Sequence, residues 1–132
     1  MKKQFTLCTV LCILSLCVWS APIASIASGN WDNPATWSGG VVPVAGDDVT
    51  ISNGHTVTIT ADAACASISV GSGALSLSTT LTVNAGILLT VSGDITIVPP
   101  LTNNRDNTIN VNDGAISCAS LHTSNSAGNS RR

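Results

Sequence analysis

The chain of 132 residues contains no glutamate and no tyrosine, one phenylalanine and one methionine, and charged residues make up only 9% of it. A helical bundle draws on Glu, Lys and Arg for its solvated faces, so their scarcity argues against one. Disorder is disfavoured from the other side, because 44% of the residues are hydrophobic and most of these are Val, Ile, Leu and Ala. Lysine occurs only as Lys2 and Lys3 and arginine as Arg105, Arg131 and Arg132, against seven Asp. Nucleic-acid binding therefore has no electrostatic basis. What is abundant is Val, Ile, Thr, Ser, Gly and Asn, a β composition rich in turn formers.

The first segment reads as a secretory leader. Met1-Lys2-Lys3 is a basic start, Phe5 to Val18 is apolar, and small residues follow at Ser20-Ala21, Ala24-Ser25 and Ala27-Ser28. The pattern predicts a signal peptide over 1–27, cut after Ala27, with Ser20 and Ala21 as alternative sites. The apolar run is too short to span a bilayer, so no membrane span is expected in the mature chain. Leu11 precedes Cys12 and Leu16 precedes Cys17, where lipid attachment would need a small residue. Processing would remove both Lys and three of five Cys, leaving three Arg against seven Asp, a balance of −4. The expected location is extracellular or at the cell surface. Cys65 and Cys118 remain, and an oxidising compartment would permit their pairing if the fold brings them together. No Cys/His spacing suggests zinc, and no metal or other cofactor is expected.

From Val49 onward, short runs alternate apolar with small polar residues, the period of a strand with one buried face. Examples are Val49-Thr50-Ile51, Val57-Thr58-Ile59, Ile68-Ser69-Val70, Leu75-Ser76-Leu77 and Leu81-Thr82-Val83. Two series of run starts, Val49, Ile68, Leu89, Ile109 and Val57, Leu75, Ile95, Ile116, recur about every 20 residues. Such spacing favours a parallel β-solenoid of about four coils, with Gly and Asn at corners such as Asn53-Gly54 and Asp113-Gly114. The alternative is an antiparallel β-sandwich. Asn53-Gly54-His55 as a three-residue hairpin loop would oppose Ile51 to Val57 and keep the apolar faces in phase.

The segment Gly29-Asn30-Trp31-Asp32-Asn33-Pro34-Ala35-Thr36-Trp37-Ser38-Gly39-Gly40-Val41-Val42-Pro43, with Ala45-Gly46-Asp47-Asp48-Val49-Thr50-Ile51 and Gly54-His55-Thr56-Val57-Thr58-Ile59, resembles the start of the G-eight domain. That resemblance implies an all-β, right-handed parallel β-helix in an extracellular protein, as in bacterial secreted proteins. It covers residues 29–59 and is compositional beyond them. The domain plan is a leader at 1–27, a cap segment at 28–48, coils at 49–121 and a disordered polar tail at 122–132.

Trp31 and Trp37 lie just before the first coil and read first as the lid of the solenoid core, and second as a platform on which a sugar ring stacks. Asp47-Asp48 is the only acidic pair and reads first as turn-forming, second as a ligand for a cation. These four are the candidate ligand-binding residues. No catalytic set is expected, because Asp106, His55 and His122 complete no nucleophile, base and orienter. His55 and His122 read as exposed bystanders. The Thr-x-Thr runs at Thr56, Thr58, Thr60 and at Thr80, Thr82 suggest an ice-ordering array only weakly, since Thr suits any wet strand face. The expectation is a noncatalytic structural or ligand-binding module, part of a larger surface protein, with extracellular polysaccharide as the first candidate ligand. Another candidate partner is a further solenoid domain or subunit covering the C-terminal end. The alternative is a fragment of a polysaccharide-degrading β-helix enzyme.

Overall fold

Three β-rows wound into one helix account for almost all the regular structure in a computed structural model that describes residues 22–72, 77–100 and 105–123. The strands are β1 (Ile23–Ala24), β2 (Gly29–Asn30), β3 (Asp48–Ile51), β4 (Thr56–Ile59), β5 (Ala63–Cys65) and β6 (Ser67–Val70), followed by β7 (Thr80–Val83), β8 (Leu88–Val91), β9 (Asp94–Ile97), β10 (Thr108–Val111), β11 (Ala115–Ser117) and β12 (Ser120–Thr123). Two short 3₁₀ turns, Pro34–Thr36 and Ser38–Gly40, are the only helical segments among the described residues. The first row runs β1-β3-β6-β9-β12, the second β2-β4-β7-β10 and the third β5-β8-β11. Every strand pair is parallel. The protein is a β-solenoid of about four turns.

The alternating sequence explains which face is inside. In β3, β4 and β7 the first and third residues are exposed or half-buried while the second and fourth are buried, as a pleat with one dry face requires. The registers then superpose like on like. Val49 sits over Ile68 and Ile68 over Ile95; Val57 sits over Leu81 and Leu81 over Ile109. Such columns give each strand's apolar face a matching neighbour above and below, which a solenoid needs because no coil buries its core alone. The antiparallel sandwich is excluded, since β3 and β4 belong to different rows and share no ladder.

The repeat differs from the sequence expectation. Each turn holds three strands rather than two, so the true columns step from Val49 to Ile68, Ile95 and Leu121, intervals of 19, 27 and 26 residues. The second row steps from Gly29 to Val57, Leu81 and Ile109, intervals of 28, 24 and 28. The 20-residue spacing arose from pairing starts that lie on different rows. Leu89, grouped with Val49, stands in the third row over Ala63. Leu75-Ser76 lies outside the described residues, and Leu77 is 43% exposed and in no strand.

The windings also begin earlier and end later than the expected boundaries at 49 and 121. β1 pairs with β3, and β2 with β4, so residues 23–30 form an incomplete first turn. At the other end His122 and Thr123 continue β12 beside β9. Of the expected leader at 1–27 and tail at 122–132, residues 1–21 and 124–132 lie outside the described residues.

Corners between the first and second rows are held by polar side chains pointing back to the chain. Asn53 Oδ1 accepts from the Ser72 amide at 2.8 Å, and Asn107 Oδ1 accepts from the Thr79 amide at 2.8 Å. Thr79 is fully buried, so its amide needs such a partner. Gly54 takes φ +84° in the first of these corners, a conformation side chains disfavour.

Candidate functional site

The N-terminal end of the solenoid is closed by the segment the two tryptophans occupy. Asn33 caps the first 3₁₀ turn through its side chain, which accepts from the Ala35 amide at 3.0 Å, and Pro34 supplies the fixed φ that starts it. This turn swings Trp37 under the first coil, where its ring meets that of Trp31 edge to face at 5.0 Å between centroids. The Trp37 Nε1–H donates to the Trp31 carbonyl at 2.7 Å. Trp31 is 3% exposed and Trp37 is 0% exposed. Neither indole has a face open to a sugar ring, so stacking on a saccharide is excluded for both. Their large apolar area instead belongs to the buried core cluster that runs through the turns.

Asp47 and Asp48 are adjacent but drawn to different partners. Asp47 Oδ2 accepts from the Val44 amide at 2.8 Å, and the Asp47 amide donates to the Val44 carbonyl at 3.0 Å, which closes the loop entering β3. Asp48 Oδ1 accepts from the Ser67 hydroxyl at 2.6 Å on the next turn. Among the described residues no group of three His, Cys, Asp or Glu side chains is placed to hold a metal ion. The four expected ligand residues thus serve the cap and the first rung, and the structure does not gather them around one opening.

Near them is a shallow cleft of about 280 Å³ between loop 42–45, Trp31, Asp32 and the turn 61–64. Its acidic groups are Asp32 and Asp62, and Asp62 Oδ1 accepts from the Leu88 amide at 2.8 Å. The rest of the lining is apolar, from Trp31, Val42, Pro43, Val44 and the alanines at 45, 61, 63 and 64.

His55 was expected to be an exposed bystander, but it is half-buried and its Nδ1 lies 2.8 Å from Ser25 Oγ. Sequence gave no signal for this pair, which is 30 residues apart and belongs to neighbouring turns. Ser25 is 2% exposed, and its Oγ also accepts from the Ser52 amide at 2.8 Å. This enclosed hydroxyl, bonded to the Ser52 amide and facing the His55 ring, ties two neighbouring turns together. His122 is an exposed strand residue whose Nε2 lies 3.7 Å from the Asp94 carboxylate, with both side chains more than half exposed, so the pair contributes little.

Cys65 and Cys118 are both free thiols. Cys65 pairs with Val91 in the third row, and Ser117 pairs with Thr90, which puts Cys118 over Val91. The two cysteines are therefore two rungs apart, roughly 9.6 Å at the spacing of adjacent strands, beyond the reach of a disulfide. Burial, with the carboxylates of Asp47 and Asp48 adding to it, pushes the Cys65 thiol up from 9.0 to about 12.

β10, β11 and β12 each have a partner on one side only among the described residues. Between them a cavity of about 440 Å³ is lined by Ile95, Ile97, Ile109, Val111, Ile116, Cys118 and Leu121. Val111 is 46% exposed and Leu121 58% exposed. These are the side chains that would be interior if another turn followed.

Comparison with family models matches residues 36–122 to the G8 domain. The chain belongs to the G8 domain family. The match runs through all three complete turns, well past the residues 29–59 that carried the resemblance, and begins inside the cap at Thr36. The G8 domain is of extracellular type. No curated protein and no solved structure matched the chain. Among the described residues no helix is long and apolar enough to cross a membrane.

Proposed function

We propose that this G8 domain is a noncatalytic structural module, exported from the cell, that begins a β-solenoid and presents its open C-terminal end to a further solenoid winding within a larger surface assembly. The observation that carries this reading is the asymmetry of the two ends. One is sealed by buried Trp31 and Trp37; the other leaves three parallel strand edges around an apolar cavity free of charged residues. Strand edges of this kind are satisfied by more strand, and the cavity by more aliphatic side chains. Residues 124–132 carry only Ala127 as an apolar side chain, so they lack the aliphatic row that another turn would add.

In the isolated protein the same open end of a second copy is the available substitute. Sedimentation over a range of concentrations is expected to show self-association of the wild type, and a Val111→Asp, Leu121→Asp double variant is expected to remain monomeric. A wild type that stays monomeric throughout contradicts the reading.

Trp31 and Trp37 are buried in the cap and offer no face for a sugar ring, so retention on immobilised polysaccharides is not expected; retention would restore polysaccharide as a ligand. The enzyme alternative requires sugar release by the purified chain that Asp47→Asn or Asp48→Asn abolishes. With both carboxylates engaged in the first rung, no release is expected.

A further inference from the structure

Residues 23–28 are built into the first turn. Ile23 is 8% exposed and lies beside Val49, and Ala24 lies beside Thr50 in the same ladder. The Ala24 amide donates to Ser38 Oγ at 3.1 Å, and the Ile26 amide to the Thr36 carbonyl at 2.8 Å, tying the segment to the cap. Ser25 is the centre of the joint. Its amide donates to the Thr50 carbonyl at 2.9 Å, its Oγ accepts from the Ser52 amide, and its carbonyl accepts from the Ser52 hydroxyl at 2.7 Å. Beyond it, Ser28 Oγ accepts from the Thr56 amide at 2.9 Å.

A cut after Ala27 would strip β1 from the first row. The edge of β3 would lose its ladder, the Ser52 amide its acceptor, and Val49 the side chain that shields it. Folding and that cut are in conflict, although the small residues Ser25 and Ala27 make it the more attractive site by sequence.

Resting on the export reading above, we propose that the leader is removed at the Ser20–Ala21 bond. Water adds across this peptide bond, leaving a carboxylate on Ser20 and an amine on Ala21, and the released chain keeps β1. Leader removal calls for a small residue directly before the cut and a residue three positions before it that is neither aromatic nor charged. A cut after Ser20 places Ser20 and Val18 there, whereas a cut after Ala21 would place Trp19 at the second of these positions and Pro22 directly after the bond. Ala21 and Pro22 then precede Ile23 as a two-residue lead into the first strand.

The test uses the full chain expressed with its own leader in a secreting cell, with the exported product read by intact mass and N-terminal sequencing. The expected N-terminus is Ala21. Ser20→Trp is expected to block processing and accumulate precursor. Ala27→Trp, at an exposed position of the folded turn, is expected to be processed with the same N-terminus. An N-terminus at Ser28, or at any residue other than Ala21, overturns the proposal, as does loss of processing in Ala27→Trp. Absence of any exported product overturns both this site and the export reading, whereas export with a Ser28 terminus overturns the site alone.

Discussion

Trp37 shows how much one residue carries in a fold with so few aromatic side chains. Its ring is fully buried, packs on Trp31 and hydrogen-bonds its neighbour's carbonyl. Trp37→Ala is expected to cost about 3–5 kcal/mol, read as a lower urea midpoint, because the cavity opens at the very end of the core. Cys65 has a different signature. Its thiol is held protonated up to about 12, so native protein at neutral pH is expected to alkylate at Cys118, which is half-buried at the open end, well before Cys65. The same shift fixes a pH dependence. The native thiol binds its proton more tightly than the unfolded one, so its contribution is complete below about 9 and is lost as pH rises toward about 12. Chemical denaturation across that alkaline range is expected to show falling stability, and Cys65→Ser is expected to flatten the fall.

At the scale of elements, the strands were legible because the apolar/polar alternation of Val57-Thr58-Ile59 or Leu81-Thr82-Val83 states both the conformation and the buried face. The cap was legible too, from two Trp placed before the first run. The number of strands per turn was not. In the third row only β5 was silent, because Ala63 and Ala64 give it little apolar signature, while Leu89 and Ile116, which continue that row, were divided between the two series. Corner chemistry was equally hidden, since an Asn bonding to a backbone amide one turn away looks like any turn Asn. Asn107 is the clearest case. Replacing it with Ala strands the amide of fully buried Thr79, and a loss of about 1–3 kcal/mol is expected in thermal or urea unfolding. Asn107→Asp keeps the accepting oxygen but sets a second carboxylate oxygen where the Asn107 Nδ2 donates to the Val98 carbonyl, so it is expected to recover little of that stability. The pairing of Ser25 with His55 had no local pattern at all, because it depends on β1 joining the first row.

For the whole molecule, a solenoid capped by Trp31 and Trp37 at one end, with β10, β11 and β12 each paired on one side only at the other among the described residues, is a module with a direction. The cap ends the core where the chain enters, and the G8 match spans the turns up to the open rung. Stability in such a stack is the sum of turns and the interfaces between them, so the outermost turn, with Val111 and Leu121 exposed, is expected to exchange its amides fastest. All of this depends on successive turns lying parallel in the observed register. Backbone proton contacts measured by NMR test it most directly. Contacts linking Val57 to Leu81 and Leu81 to Ile109, with none across an Ile51–Val57 hairpin, are the predicted result; contacts joining β3 to β4 as antiparallel neighbours would contradict it.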